Sequence, residues 1–114
     1  MDLRTPERRA TPRLRVQFRT TFSGSTMLEG TGVMLDLSTG GCRIESPFIM
    51  VPGFSVELRI HAPDLDWPLM IEAASVQWVS GQIFGLAFFQ IRDTEQQRLG
   101  QVISDLMEDE SMAG

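Results

Sequence analysis

Lysine and tyrosine are absent from this chain of 114 residues, and cysteine and histidine occur once each. A lone cysteine, Cys42, closes no internal disulfide, so no staple supplements the core and a reducing compartment is expected. A lone histidine, His61, leaves no histidine pair for a metal. Its neighbours Asp64 and Asp66 belong to a Pro-containing turn and do not make a ligand set. No serine or cysteine has a histidine at the spacing of a nucleophile and its base, so the chain is not expected to be an enzyme. No apolar run approaches the ~20 residues that span a bilayer. The first seven residues, Met1 to Glu7, hold no stretch suited to a signal peptide. A cytoplasmic location without membrane insertion is the expectation.

What is present is charge, unevenly placed. All ten basic residues are arginines, and six of them (Arg4, Arg8, Arg9, Arg13, Arg15, Arg19) fall in the first 19 positions against two acids. The rest of the chain carries four arginines and 13 acids, a net −9. An acidic body speaks against a nucleic-acid footprint, which needs basic charge spread over many phosphates. It speaks equally against a small barrel binding single strands, which needs a basic aromatic groove. A basic arm on an acidic domain suits a compact anion. Guanidinium forks onto phosphate or a purine edge and stacks on rings, as ammonium does not.

Hydropathy divides the chain into an arginine-rich flexible arm (1–14), a β-barrel (15–92), a C-terminal helix (93–109) and a short tail (110–114), all of one domain. Val16, Phe18 and Phe22 alternate with polar residues, and a second run turns Val33, Leu35 and Leu37 inward. A tight Ser38-Thr39-Gly40-Gly41 leads to a short run with Cys42 and Ile44 on one side and Arg43 and Glu45 on the other. Phe54, Val56, Leu58 and Ile60 form the cleanest alternation. Leu69 to Val79 changes phase near Ala74, as a bulge would make it do. Ile83 to Phe89 is the sixth run. From Asp93 the period becomes 3.6, with Leu99, Val102, Ile103, Leu106 and Met107 on one stripe, and Asp93 or Thr94 as cap. Six short strands followed by one helix predict a mainly all-β fold, a small six-stranded antiparallel barrel with the helix packed alongside.

A hairpin of 15–23 with 30–37 places the start of the first strand beside the end of the second. Arg13 then neighbours Asp36-Leu37-Ser38-Thr39-Gly40-Gly41, a turn with a carboxylate, a hydroxyl and glycines that leave amides approachable. Arginines suit phosphate and the O6/N7 edge of guanine, and a carboxylate such as Asp36 suits the guanine N1–H and N2–H₂ donors. Taken separately, an arginine-rich terminus is a solvated tail. D-L-S-T-G-G is likewise an ordinary turn, with Asp and Ser capping amides and Gly at positive φ.

Arg9-Ala10-Thr11-Pro12-Arg13 matches R-x-x-x-R, and Asp36-Leu37-Ser38-Thr39-Gly40-Gly41 matches D/N-x-S-x-x-G. On these two motifs, in this order and at hairpin spacing, the chain resembles the PilZ domains, bacterial receptors for cyclic di-GMP. Glu7-Arg8-Arg9 before the first motif, and Gln77-Trp78 followed by Phe84-Gly85-Leu86-Ala87-Phe88, extend the resemblance along the chain. It implies a cyclic di-GMP site made by Arg8, Arg9, Arg13, Asp36, Ser38 and Gly41, with no metal and no other cofactor. Up-and-down counting puts Trp78 at the far end of the barrel as a packing residue, whereas the resemblance allows it to stack on a guanine. An arginine just before R-x-x-x-R, here Arg8, accompanies two intercalated ligands in that family. The alternative is that Arg8 is part of a solvated arm and one ligand suffices.

The function these observations predict is a stand-alone adaptor, a monomer or weak homodimer, that relays cyclic di-GMP to an unidentified protein effector. The alternative is a PilZ-like interaction module that docks on a motility or secretion assembly without nucleotide.

Overall fold

The computed structural model describes residues 13–24 and 29–113, with helix side chains described to residue 108. The strands are β1 (Leu14–Gly24), β2 (Glu29–Leu37), β3 (Gly41–Glu45), β4 (Ser55–His61), β5 (Leu69–Ser80) and β6 (Ile83–Gln90), followed by one helix, α1 (Asp93–Ala113). All pairings are antiparallel, and the strands close into a barrel in the order β1-β2-β3-β6-β5-β4. The expected architecture is therefore the observed one. The order is not up-and-down, however: the 46–54 connection carries the chain from β3 across to β4, which pairs with β1, and leaves β6 beside β3.

Period-two hydropathy accounts for the interior. Phe18 and Phe22, Cys42 and Ile44, and Val56, Leu58 and Ile60 are buried at alternate positions. Thr20 is buried as well, and its hydroxyl is satisfied by donating to the Gly32 carbonyl at 2.9 Å. β2 departs from expectation. Met34 is fully buried while Val33 is 37% exposed, and Asp36 and Leu37 are both buried. A register shift between Met34 and Asp36 in the pairing with β3 moves the phase, which alternation alone does not encode. The phase change near Ala74 is also a bulge, between Ala73 and Ala74.

α1 closes the core with Leu99 and Ile103, while Val102 and Leu106 are half-buried and Met107 is 45% exposed. The Arg92 carbonyl accepts from Gln96 N–H at 2.8 Å, so the first helical turn opens on Arg92 and not on Asp93 or Thr94. Glu95 Oε1 accepts from Met70 N–H at 2.8 Å and from Arg98 at 2.9 Å, fastening the helix to β5. The Arg98 guanidinium also reaches the Trp67 carbonyl at 2.6 Å and lies 5.1 Å from the Trp67 ring centroid. The helix continues to Ala113, past its expected end at 109. It is not apolar enough to cross a membrane.

Candidate functional site

Pairing around the barrel lines up one transverse row. Arg15 lies opposite Asp36, Asp36 opposite Arg43, Arg43 opposite Gly85, and Gly85 opposite Trp78. Residues far apart in the chain thus share one band of the outer surface. A cleft of about 450 Å³ opens there, lined by Arg13, Asp36, Gly40, Gly41, Cys42, Arg43, Gln77, Trp78, Gly85, Leu86 and Ala87. Its size falls in the ordinary range for small-molecule sites.

Asp36 organises the charges. Arg13 Nη1 donates to its Oδ1 at 2.9 Å and Arg43 Nε to its Oδ2 at 2.8 Å. The carboxylate side chain is 6% exposed, while those of Arg13 and Arg43 are 53% and 40% exposed. One buried acid therefore holds two guanidiniums by one edge each and leaves their remaining donors turned to water. The expected neighbourhood of Arg13 and Asp36 is the observed one. Arg43 was not expected in it, although counting outward from the Ser38–Gly41 turn pairs Leu37 with Cys42 and Asp36 with Arg43.

Ser38 and Gly41 serve the turn. Ser38 N–H donates to the Gly41 carbonyl at 2.9 Å, and the buried Ser38 hydroxyl accepts from Gly40 N–H at 3.3 Å. Ser38 does not line the cleft. The expected positive φ is not found at Gly40 or Gly41; among the described glycines it occurs at Gly53 and Gly81. Gly41 is required for a different reason. A Cβ there would collide with the Leu86 carbonyl oxygen, because β3 and β6 approach closely at this point.

Trp78 corrects the up-and-down reading. Pairing of β6 with β3 brings the β5–β6 hairpin to the Asp36 row, so Trp78 lines the cleft and does not pack in the core. The indole is 42% exposed and lies over Gly85, where a Cβ would come within 2.5 Å of ring atom Cε2. The glycine lets the half-exposed ring lie against the sheet. Gln77, Gly85, Leu86 and Ala87 join the lining for the same topological reason, which local periodicity does not reveal.

Cys42 is buried beside these charges. Burial first, and the Asp36 carboxylate second, push its thiol well above the ordinary range, with Arg13 opposing in part. A thiol so held is no nucleophile. Among the described residues no three His, Cys, Asp or Glu side chains cluster as a metal site, His61, Asp64 and Asp66 included. Arg8 and Arg9, and with them the first half of R-x-x-x-R, lie outside the described residues.

Residues 7–105 match the model of the PilZ domain. No curated protein sequence gives a significant match. Among solved structures, YcgR from Escherichia coli in complex with c-di-GMP is similar over 93% of this chain and 49% of that one, with 14% identity and a TM-score of 0.78. The Bacillus subtilis inhibitor of motility MotI/DgrA matches over 89% of this chain and 52% of its own, with 20% identity and a TM-score of 0.72. The PilZ domain of CeSA from a cellulose-synthesizing bacterium matches over 84% and 98%, with 15% identity and a TM-score of 0.67. At these identities the likeness is one of fold. The chain spans about half the length of the YcgR and MotI chains.

Proposed function

The chain belongs to the PilZ domain family, and from that premise we propose that its Asp36 cleft binds cyclic di-GMP. The observation that carries the reading is the single buried carboxylate tethering Arg13 and Arg43 beside a half-exposed indole. Held guanidiniums with free donors meet phosphates or a guanine O6/N7 edge at little ordering cost. An aromatic ring lying on the sheet offers a base a stacking surface. Asp36, its side chain 6% exposed, acts from behind the two guanidiniums and holds them toward the ligand. Arg8 and Arg9, which precede Arg13 in the sequence, supply further positive charge for the phosphates. Ser38 and Gly41 hold the turn that sets Asp36 and Arg43 opposite each other.

The role is one of binding and relay. Ligand drawn between arm and barrel creates a composite surface that a protein effector reads. YcgR was solved with c-di-GMP and MotI is an inhibitor of motility, which supports placing this chain in second-messenger control.

Titration calorimetry with cyclic di-GMP tests the reading. Saturable heat, lost in an Arg9→Ala/Arg13→Ala variant that keeps its melting temperature, is the expected result. No heat and no amide shift at tens of micromolar ligand would replace it with a nucleotide-independent interaction module.

A further inference from the structure

The 46–54 connection carries four consecutive apolar residues, Phe48-Ile49-Met50-Val51. Met50 is buried, but Ile49 is 91% exposed and Val51 60%. The loop is pinned at both ends. Ser46 Oγ donates to the Thr31 carbonyl at 2.7 Å and accepts from Phe48 N–H at 3.2 Å. Gly53 N–H donates to Val76 at 2.7 Å, and Phe54 N–H to Val51 at 3.0 Å. Ile49 and Val51 are therefore held out in water by a loop whose ordering cost folding has already met.

Beside them lies a groove of about 400 Å³, with Phe22, Phe48, Gly30, Glu29 and Arg59 in its lining. Phe48 meets Phe22 edge to face, ring centroids 6.0 Å apart. A Cβ at Gly30 would come within 2.5 Å of the Phe22 ring and 3.1 Å of Phe48, so glycine here lets the two rings pack onto β2. Phe48 thus belongs to both the projection and the groove.

We propose that this end of the barrel is a two-fold self-association surface, on which Ile49 and Val51 of one chain enter the Phe22–Phe48 groove of a second copy. A two-fold contact requires a surface complementary to itself, and here an apolar projection lies beside a mixed groove in which Phe22 and Phe48 are joined by Thr21, Thr31, Glu29 and Arg59. The groove also carries one acid and one base, so the two-fold axis can set Glu29 of each copy toward Arg59 of the other. Arg59 bonds Glu57 at 3.0 Å, yet its side chain is 38% exposed and retains free donors. A membrane or nucleic acid fits less well, because neither offers a guanidinium to pair with Glu29. Phe22 and Gly30 lie at the opposite end of the β1–β2 hairpin from Arg15 and Asp36, so the contact stands or falls independently of cyclic di-GMP binding.

Sedimentation velocity of the full chain over roughly 10–500 μM should show a mass rising from 12.8 kDa toward the dimer. Ile49→Asp should keep the wild-type melting temperature, its side chain being exposed, and weaken self-association by about tenfold or more. Glu29→Arg and Arg59→Glu should each weaken it, and their combination should recover much of the loss. A chain that stays at monomer mass throughout, or a dimer that Ile49→Asp leaves unchanged, overturns the proposal.

Discussion

Arg43 Nε donates to Asp36 Oδ2 at 2.8 Å, and the two residues are direct partners across the β2–β3 ladder. Because the pair is set by register, the side chains meet without any long-range rearrangement. Arg13 then closes on the other oxygen from just before β1. The acid is buried and the two bases are exposed, so its main task is to aim them.

Asp36→Ala should therefore release both guanidiniums at once. Cyclic di-GMP and a plain phosphate ligand are expected to weaken together, cyclic di-GMP by about tenfold or more. The melting temperature should fall by only a few degrees, since half-exposed ion pairs contribute about 1 kcal/mol or less each. Calorimetry with both ligands checks this. A loss confined to cyclic di-GMP would place the carboxylate on the guanine edge and not behind the arginines.

Gly85→Ala should displace the Trp78 ring, because the new methyl would occupy the space of the indole. If a base stacks on that ring, affinity falls by the ~1–3 kcal/mol that such stacking is worth, and Trp78→Ala gives a similar loss. In a Trp67→Phe background, ligand should quench Trp78 fluorescence. Unchanged affinity in both variants, with a lowered melting temperature, would make Trp78 a packing residue.

Much of this was legible in the amino-acid sequence. The alternation of Val56, Leu58 and Ile60, the phase change near Ala74 and the 3.6 stripe whose buried members are Leu99 and Ile103 each report burial that a local pattern encodes. The neighbourhood of Arg13 and Asp36 follows from hairpin counting, which is local too. Up-and-down counting misplaced Trp78, although the resemblance allowed it at the site, because only the pairing of β3 with β6 brings it to the Asp36 row, and the choice of partner strand is not written in the period of either strand. Val33 was misassigned because a bulge shifts phase without changing composition. Arg43 needed one more step of counting around the turn than alternation alone provides.

His61 offers a test of the outer β1–β4 face. It lies opposite Arg19 in the ladder, two residues from Arg59, and its Nε2 is buried without a partner among the described residues. Burial first, then the positive charges of Arg19 and Arg59, hold its pKa below the ordinary 6.5. The unfolded chain takes up a proton as pH falls through about 6.5 while the folded chain resists. The contribution to stability is full above that pH and is lost below it. The stability difference between wild type and His61→Gln should therefore shift against the wild type as pH falls below about 6.5, with an imidazole NMR titration midpoint below 6.5. A pH-independent difference would mean that His61 is unperturbed.

Ligand number is decided by charge. In the described part of the cleft two guanidiniums face one carboxylate, a surplus of one positive charge. Cyclic di-GMP carries two phosphates, so even one ligand at the proposed site would need more base than the described part of the cleft supplies, and Arg9 of the motif would meet that need. Arg8 is then surplus to a single ligand. Two intercalated ligands bring four negative charges and leave an outer guanine face, which an added guanidinium can cover and offset. Calorimetric stoichiometry near two for the wild type is therefore expected, falling to one in Arg8→Ala with binding retained. Arg8→Lys should restore the charge but not the flat stacking face, and so recover the second ligand only weakly. A wild-type stoichiometry of one, unchanged in Arg8→Ala, would leave Arg8 as a solvated arm residue.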